Sequence, residues 1–117
     1  MIDVGLEEEI AEAARRHGWS VELRRKHGRR IQDLVLSRGG LVLVVQVKDL
    51  SAPAGPKAVS QARFDCEEYL RDLVKNRLGL TVVPVLVSNS FSEKAKRRAT
   101  SYRVRCYTRE GVERLLA

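Results

Sequence analysis

"IQDLVLSRGGLVLVVQVKDL", residues 31–50, holds two β-rich apolar runs around a turn signal, and polar groups break each run. Asp33 interrupts the first, Gln46 and Lys48 the second. Such runs flanking Gly-Gly predict a β-hairpin with strands over 30–36 and 41–48. Strand side chains alternate between faces, so parity decides which groups meet. With SRGG as the loop, Leu36 lies opposite Leu41 and Asp33 opposite Val44. Asp33 then shares a face with Val42, Gln46 and Lys48, while Leu34, Leu36, Val45 and Val47 take the other. Gln46 becomes a diagonal neighbour of Asp33, at about 7–8 Å between backbones. An acid, an amide and an ammonium thus converge on one surface. Burying them unpaired is costly, so the cluster predicts a compensating ligand. A hard divalent cation fits, because Mg²⁺ takes one or two carboxylates together with water and phosphate oxygens.

The rest of the chain reads outward from this hairpin. Residues 3–17 predict a helix, with Leu6, Ile10, Ala13, Ala14 and His17 on its inner stripe, Asp3 as its N-cap and Gly18 as its end. Residues 19–25 alternate as a first strand. "SAPAGPK" (51–57) reads as a loop, followed by a long helix over 58–77 whose stripe runs Ala62, Cys66, Tyr69, Leu70, Leu73, Val74. "LTVVPVLVS" (80–88) is apolar enough for a strand covered on both faces, with Pro84 requiring an edge or a bulge. Ser92 caps a short helix over 90–99, 102–107 alternates as a strand, and Thr108 caps a closing helix. The order is α-β-β-β-α-β-α-β-α: an α/β fold with a mixed β-sheet flanked by helices.

With 117 residues, the chain is expected to form one domain over 1–117. No apolar run reaches the roughly 20 residues of a membrane span. The N-terminus is acidic where a secretory signal would be basic, so a soluble cytoplasmic protein with no membrane partner is expected. Cys66 and Cys106 match no metal-ligand spacing and read as buried free thiols, with a disulfide between them as the alternative. His17 and His27 fit no zinc or triad spacing, and Gly39-Gly40 is a turn rather than a phosphate cradle. Lys+Arg total 22 against 15 Asp+Glu, for a net charge of +7. The excess gathers in "RRKHGRR" (24–30) and "KAKRRATSYRVR" (94–105), which favours a polyanionic partner through counterion release. A merely solvated basic surface is the competing reading.

Asp33, a twelve-residue gap and Gln46-Val47-Lys48 resemble the D…(E/Q)xK signature of the PD-(D/E)xK restriction-endonuclease-like nucleases, the glutamine being similar to the Mrr-type branch. "LEEEIAEAARRHGWSVE" is similar to the Mrr-type first helix, with Glu7 in the place of the helix glutamate. "VLVSNSFSEKAKRRA" and "YRVRCYTREGVERLL" resemble the later strand–helix and closing stretches, so nearly the whole chain is covered in order. Gln32 departs from the pattern, since a proline often precedes the acid.

The resemblance implies a restriction-endonuclease-like fold and metal-dependent hydrolysis of DNA phosphodiesters, by an enzyme associated with the nucleoid. Asp33, Gln46 and Glu7 would hold Mg²⁺, with Mn²⁺ as an alternative. Glu8 and Glu9 compete with Glu7 for its role. Lys48 would orient the attacking water or stabilise charge on the phosphate. Gln61 stands where Mrr-type enzymes often carry a glutamine near the site. Arg24, Arg25, Lys26, Arg29 and Arg30 are candidate DNA contacts, as are Arg97, Arg98, Arg103 and Arg105, with Arg103 and Arg105 on one strand face. A resolvase acting on Holliday junctions and a catalytically silent DNA-binding module of the same fold are the rival readings. A homodimer and a separate recognition subunit are both open.

Overall fold

The computed structural model describes residues 5–25, 32–48, 51–73 and 79–117, and at positions 24, 25, 32 and 33 the backbone alone. Candidate contacts Lys26, Arg29 and Arg30, and the proposed cap Asp3, lie outside the described residues. The elements are α1 (Gly5–Arg16), β1 (Ser20–Arg25), β2 (Gln32–Arg38), β3 (Leu41–Lys48), α2 (Pro56–Asp72), β4 (Thr81–Ser88), α3 (Glu93–Tyr102), β5 (Arg105–Tyr107) and α4 (Arg109–Leu116). This is the expected order. The strands form one mixed sheet in the order β1-β2-β3-β4-β5. The first three strands pair antiparallel, and β3-β4 and β4-β5 pair parallel.

Two apolar layers cover the sheet. Leu34, Leu36, Leu43, Val45, Val85 and Val87 pack with α1 and α4 through Leu6, Ile10, Val112 and Leu116. On the other face Leu86 packs with Val59 and Ala62 of α2 and Ala95 and Ala99 of α3. The first layer is closed at the chain's end. Trp19 Nε1 donates to Leu116 O at 2.8 Å, Arg38 lies 4.5 Å over the Trp19 ring, and Arg38 also donates to His17 O and Leu116 O.

The hairpin register differs from expectation. Arg38 pairs with Leu41 and Leu36 with Leu43, so the loop is Gly39-Gly40 alone. Gly39 adopts φ +61°, the left-handed geometry that a two-residue hairpin turn requires and glycine supplies freely. Thr81 N–H donates to Gly40 O at 2.7 Å, and a Cβ on Gly40 would meet Gly79 O at 2.9 Å. The tighter turn lets the hairpin tip abut the start of β4. Because the pairing moves by two residues, the division of faces is unchanged.

Other boundaries shift for local reasons. Pro56, expected in a loop, opens α2 in the first-turn position where its missing N–H costs nothing. His17, expected on the inner stripe, is an exposed residue of the turn after α1. Pro84 pairs with Val44 on one side, and β5 begins only opposite Val85, so no ladder demands its missing N–H on the other. Ser92 and Thr108 cap as expected, accepting from Ala95 N and Gly111 N. Among the described residues no helix is long and apolar enough to cross a membrane.

Candidate functional site

Gln46 and Lys48 lie at the carboxyl end of β3, in parallel register with Leu86 and Ser88 of β4. Leu86 belongs to the α2–α3 layer, so this parity set faces α2. The Gln46 side chain is only 2% exposed, and neither Oε1 nor Nε2 has a hydrogen-bond partner among the described residues. Lys48 is half-buried one step nearer the strand end. Asp33 occupies β2 opposite Arg24 of β1. By parity it belongs with Val35, which pairs with Val44. The β2–β3 ladder ends at Leu34–Val45, and carrying it one residue further would put Asp33 level with Gln46 rather than diagonal to it. Nothing is described of the Asp33 side chain.

Because α2 links two parallel strands, it must run back along them, and its first turns overlie the Lys48–Ser88 end. Gln61 lies in that region and donates from Nε2 to Asp65 Oδ1 at 2.8 Å. Asp65 is 2% exposed, a buried carboxylate on the helix stripe. An apolar stripe does not reveal it, because Asp65 is the polar member of the buried face. The Gln61–Asp65 spacing of four, which stacks side chains on one helical face, was the available signal.

Glu7 occupies the first turn of α1, in the opposite layer between buried Leu6 and Ile10. The tight 17–19 connection makes α1 run back along β1, so Glu7 lies toward the end where β1 meets β2 at Arg25–Gln32. It shares an end of the sheet with Gln46, not a face. Partial burial raises its carboxyl pKa above the ordinary 4.5. Glu8 and Glu9 are exposed, and Glu9 is paired with Arg109 at 3.1 Å.

Ala54, within the stretch expected as a loop, is held by backbone pairing. Ala54 N–H donates to Ser90 O, Ser92 N–H donates to Ala54 O, and Ala54 bridges Phe91 in parallel. The chains leaving β3 and β4 are therefore tied together just beyond the site.

The restriction endonuclease family model Mrr_cat matches residues 2–116. The chain belongs to this family. No curated protein matches it. Among solved structures it resembles EndoMS in its apo form, at TM-score 0.66 and 19% identity over 92% of this chain and 47% of that one. A repair endonuclease from Pyrococcus abyssi gives TM-score 0.66 and 18% identity over the same shares. A protein of unknown function, AF1548, gives 0.60 and 22%, over 91% of this chain and 58% of that one. The chain thus spans about half the length of these structural relatives, and at such identities the likeness shows the restriction-endonuclease-like fold alone.

In this restriction endonuclease family member, the donor set suits a hard cation. An enclosed amide oxygen without a partner is a ready ligand for an oxygen-seeking ion. No group of three His, Cys, Asp or Glu placed to hold a metal ion occurs among the described residues, a set that omits the Asp33 carboxylate. The candidate DNA contacts are dispersed. Arg97 is exposed. Arg98 instead joins helices: it donates to Ser60 Oγ at 3.1 Å and lies 5.9 Å from the Tyr102 ring, which Arg63 also faces. Arg103 is not a strand residue sharing a face with Arg105. It is the left-handed C-cap of α3 at φ +57°. Arg103 and Arg105 line an open cavity of about 460 Å³ beside Val82–Pro84. Pro84 and Val82 lie four and six steps before Ser88, so the cavity's β4 wall lies about 13–20 Å along the strand from the candidate site. Cys66 and Cys106 are free, and burial pushes the Cys66 thiol up to about 11.

Proposed function

We propose that the protein is a metal-dependent DNA endonuclease of the Mrr-like restriction or repair type. The observation that carries this reading is the buried Gln46 amide, without a hydrogen-bond partner among the described residues, two residues before Lys48 in a member of a restriction endonuclease family. Asp33 and the Gln46 Oε1 would hold Mg²⁺, or Mn²⁺ in its place, with Glu7 reaching it around the sheet end through water. Such a cation, when bound, supplies an acidified water nucleophile and positive charge for the phosphoryl oxygens. Lys48 brings an ammonium to the strand end, where it orients the attacking water or offsets charge developing on the phosphate. Half-burial strengthens that ammonium's interaction with phosphate relative to a fully solvated one. Gln61, oriented by its hydrogen bond to Asp65, would meet the substrate from α2.

The surface supports a DNA substrate. A net charge of +7 draws duplex or branched DNA, with phosphate contacts from Arg97 and Arg105 and from the basic stretch 24–30. A repair-type, structure-specific nuclease acting on branched DNA is the second reading, compatible with the same fold and the same sheet-end residues. Incubating the protein with supercoiled plasmid, linear duplex and a four-way junction, in Mg²⁺ and in EDTA, tests both. Phosphodiester cleavage in Mg²⁺ alone is expected, and preference for the junction selects the repair reading. Salt-dependent binding without cleavage in Mg²⁺ or Mn²⁺ would establish a silent DNA-binding module instead.

A further inference from the structure

Ser88 ends β4 beside Lys48, and Gln46 lies one pair back against Leu86. The Ser88 hydroxyl is wholly enclosed and, like the Gln46 amide, has no hydrogen-bond partner among the described residues. Both belong to the parity set that faces α2, as diagonal neighbours across the two strands. Val85, Leu86 and Val87 immediately before Ser88 are fully buried and apolar. An aliphatic residue at 88 would continue that pattern without the desolvation cost of a hydroxyl. The Ala54–Ser90 tie closes the strand end over it, with Ala54 1% exposed.

A carboxylate can present either oxygen to a cation, but a primary amide has one oxygen and one NH₂ group. Gln46 is therefore a competent ligand only if something accepts from its Nε2 and so fixes which way the amide points. We infer that Ser88 is a positioning residue, whose hydroxyl accepts from Gln46 Nε2, directly or through one bridging water, and turns Oε1 toward the cation site. This rests on the metal-site reading above. The hydroxyl does not touch the substrate; it acts through Gln46.

The test compares Ser88→Ala, Ser88→Thr, Gln46→Glu and the Gln46→Glu/Ser88→Ala double variant in the full chain. Mn²⁺ binding is measured by electron paramagnetic resonance, melting temperature in EDTA, and plasmid nicking against Mg²⁺ concentration. Ser88→Ala is expected to weaken Mn²⁺ binding and raise the Mg²⁺ half-saturation point by about tenfold or more. Its rate at saturating Mg²⁺ stays near wild type, and its melting temperature in EDTA falls modestly, because the buried Gln46 Nε2 loses its acceptor. Ser88→Thr restores binding. If the extra methyl does not fit, the double variant still decides: a symmetric carboxylate needs no orientation, so Ser88→Ala has no effect on metal binding in the Gln46→Glu background. Wild-type affinity in Ser88→Ala, or an equal loss in both backgrounds, overturns the inference. A saturated rate that falls with the Mg²⁺ requirement unchanged also overturns it, by placing the hydroxyl on Lys48. A wild-type protein that neither binds Mn²⁺ nor nicks overturns the underlying site reading itself.

Discussion

A glutamine in place of a second carboxylate gives the Gln46 position a neutral oxygen to offer a cation. That leaves Asp33 and Glu7 as the anionic candidates, and Glu7 carries a measurable signature. Burial raises its pKa above 4.5, so the folded state holds its proton more firmly than the unfolded chain does. The stability this group contributes is complete below that ordinary value and is lost as pH rises through the raised one. Glu7→Gln should therefore raise the melting temperature in EDTA near neutral pH, with the gain vanishing below pH 4.5; equal melting at neutral pH would contradict it. Arg38 makes the opposite case, being exposed yet engaged with the Trp19 ring and the carbonyls of His17 and Leu116. Arg38→Ala should cost about 1–2 kcal/mol in chemical denaturation, and a change within error would show that the C-terminal closure carries no stability. Residues such as Gln46 were legible because polarity inside an apolar strand stands out. Asp65 and Ser88 were not, since an acid in a helix and a serine at a strand end are ordinary until their burial is known.

Elements were most legible where a periodic pattern or a cap fixes them. The hairpin's faces followed from parity alone and survived a register error, because exchanging a four-residue loop for the Gly39-Gly40 turn moves the pairing by an even number. The turn itself could not be chosen from sequence, because SRGG is compatible with both loops. Contact between the hairpin tip and Gly79 selects the tight one. Gly40→Ala should consequently destabilise the fold by about 1–3 kcal/mol through collision with Gly79 O; wild-type stability would mean that β4's start yields freely. Alternation misled at Tyr102–Arg105, where polar and apolar residues alternate but Arg103 turns left-handed to end α3. The strand is thereby reduced to Arg105–Tyr107, and Arg103 and Arg105 cannot act as neighbours on one strand face.

At the scale of the molecule, the sheet separates two functions. Its α1–α4 face is an apolar core closed by Trp19 and Arg38, while its α2–α3 face becomes polar toward the ends of β3 and β4. Asp33, Gln46 and Lys48 belong to that polar end by parity, and the chain's net charge of +7 attracts phosphate without a Gly-rich loop to cradle it. Attraction of this kind predicts DNA affinity that falls steeply with salt, by roughly 0.9 in log K per log salt for each phosphate contact; a flat salt response would exclude phosphate-led binding. The family and the fold order were legible because helix, hairpin and crossover signals occur in sequence along the whole chain. Which DNA is cut was not, because that depends on surfaces shaped by side chains far apart in sequence. The central claim, that this sheet end hydrolyses phosphodiesters with a divalent cation, meets its most direct test in nicking of supercoiled plasmid across a Mg²⁺ titration, with Lys48→Ala and Asp33→Ala alongside wild type. Cleavage that rises and saturates with Mg²⁺ in wild type and is abolished in both folded variants is predicted; variants that nick at the wild-type rate would contradict it.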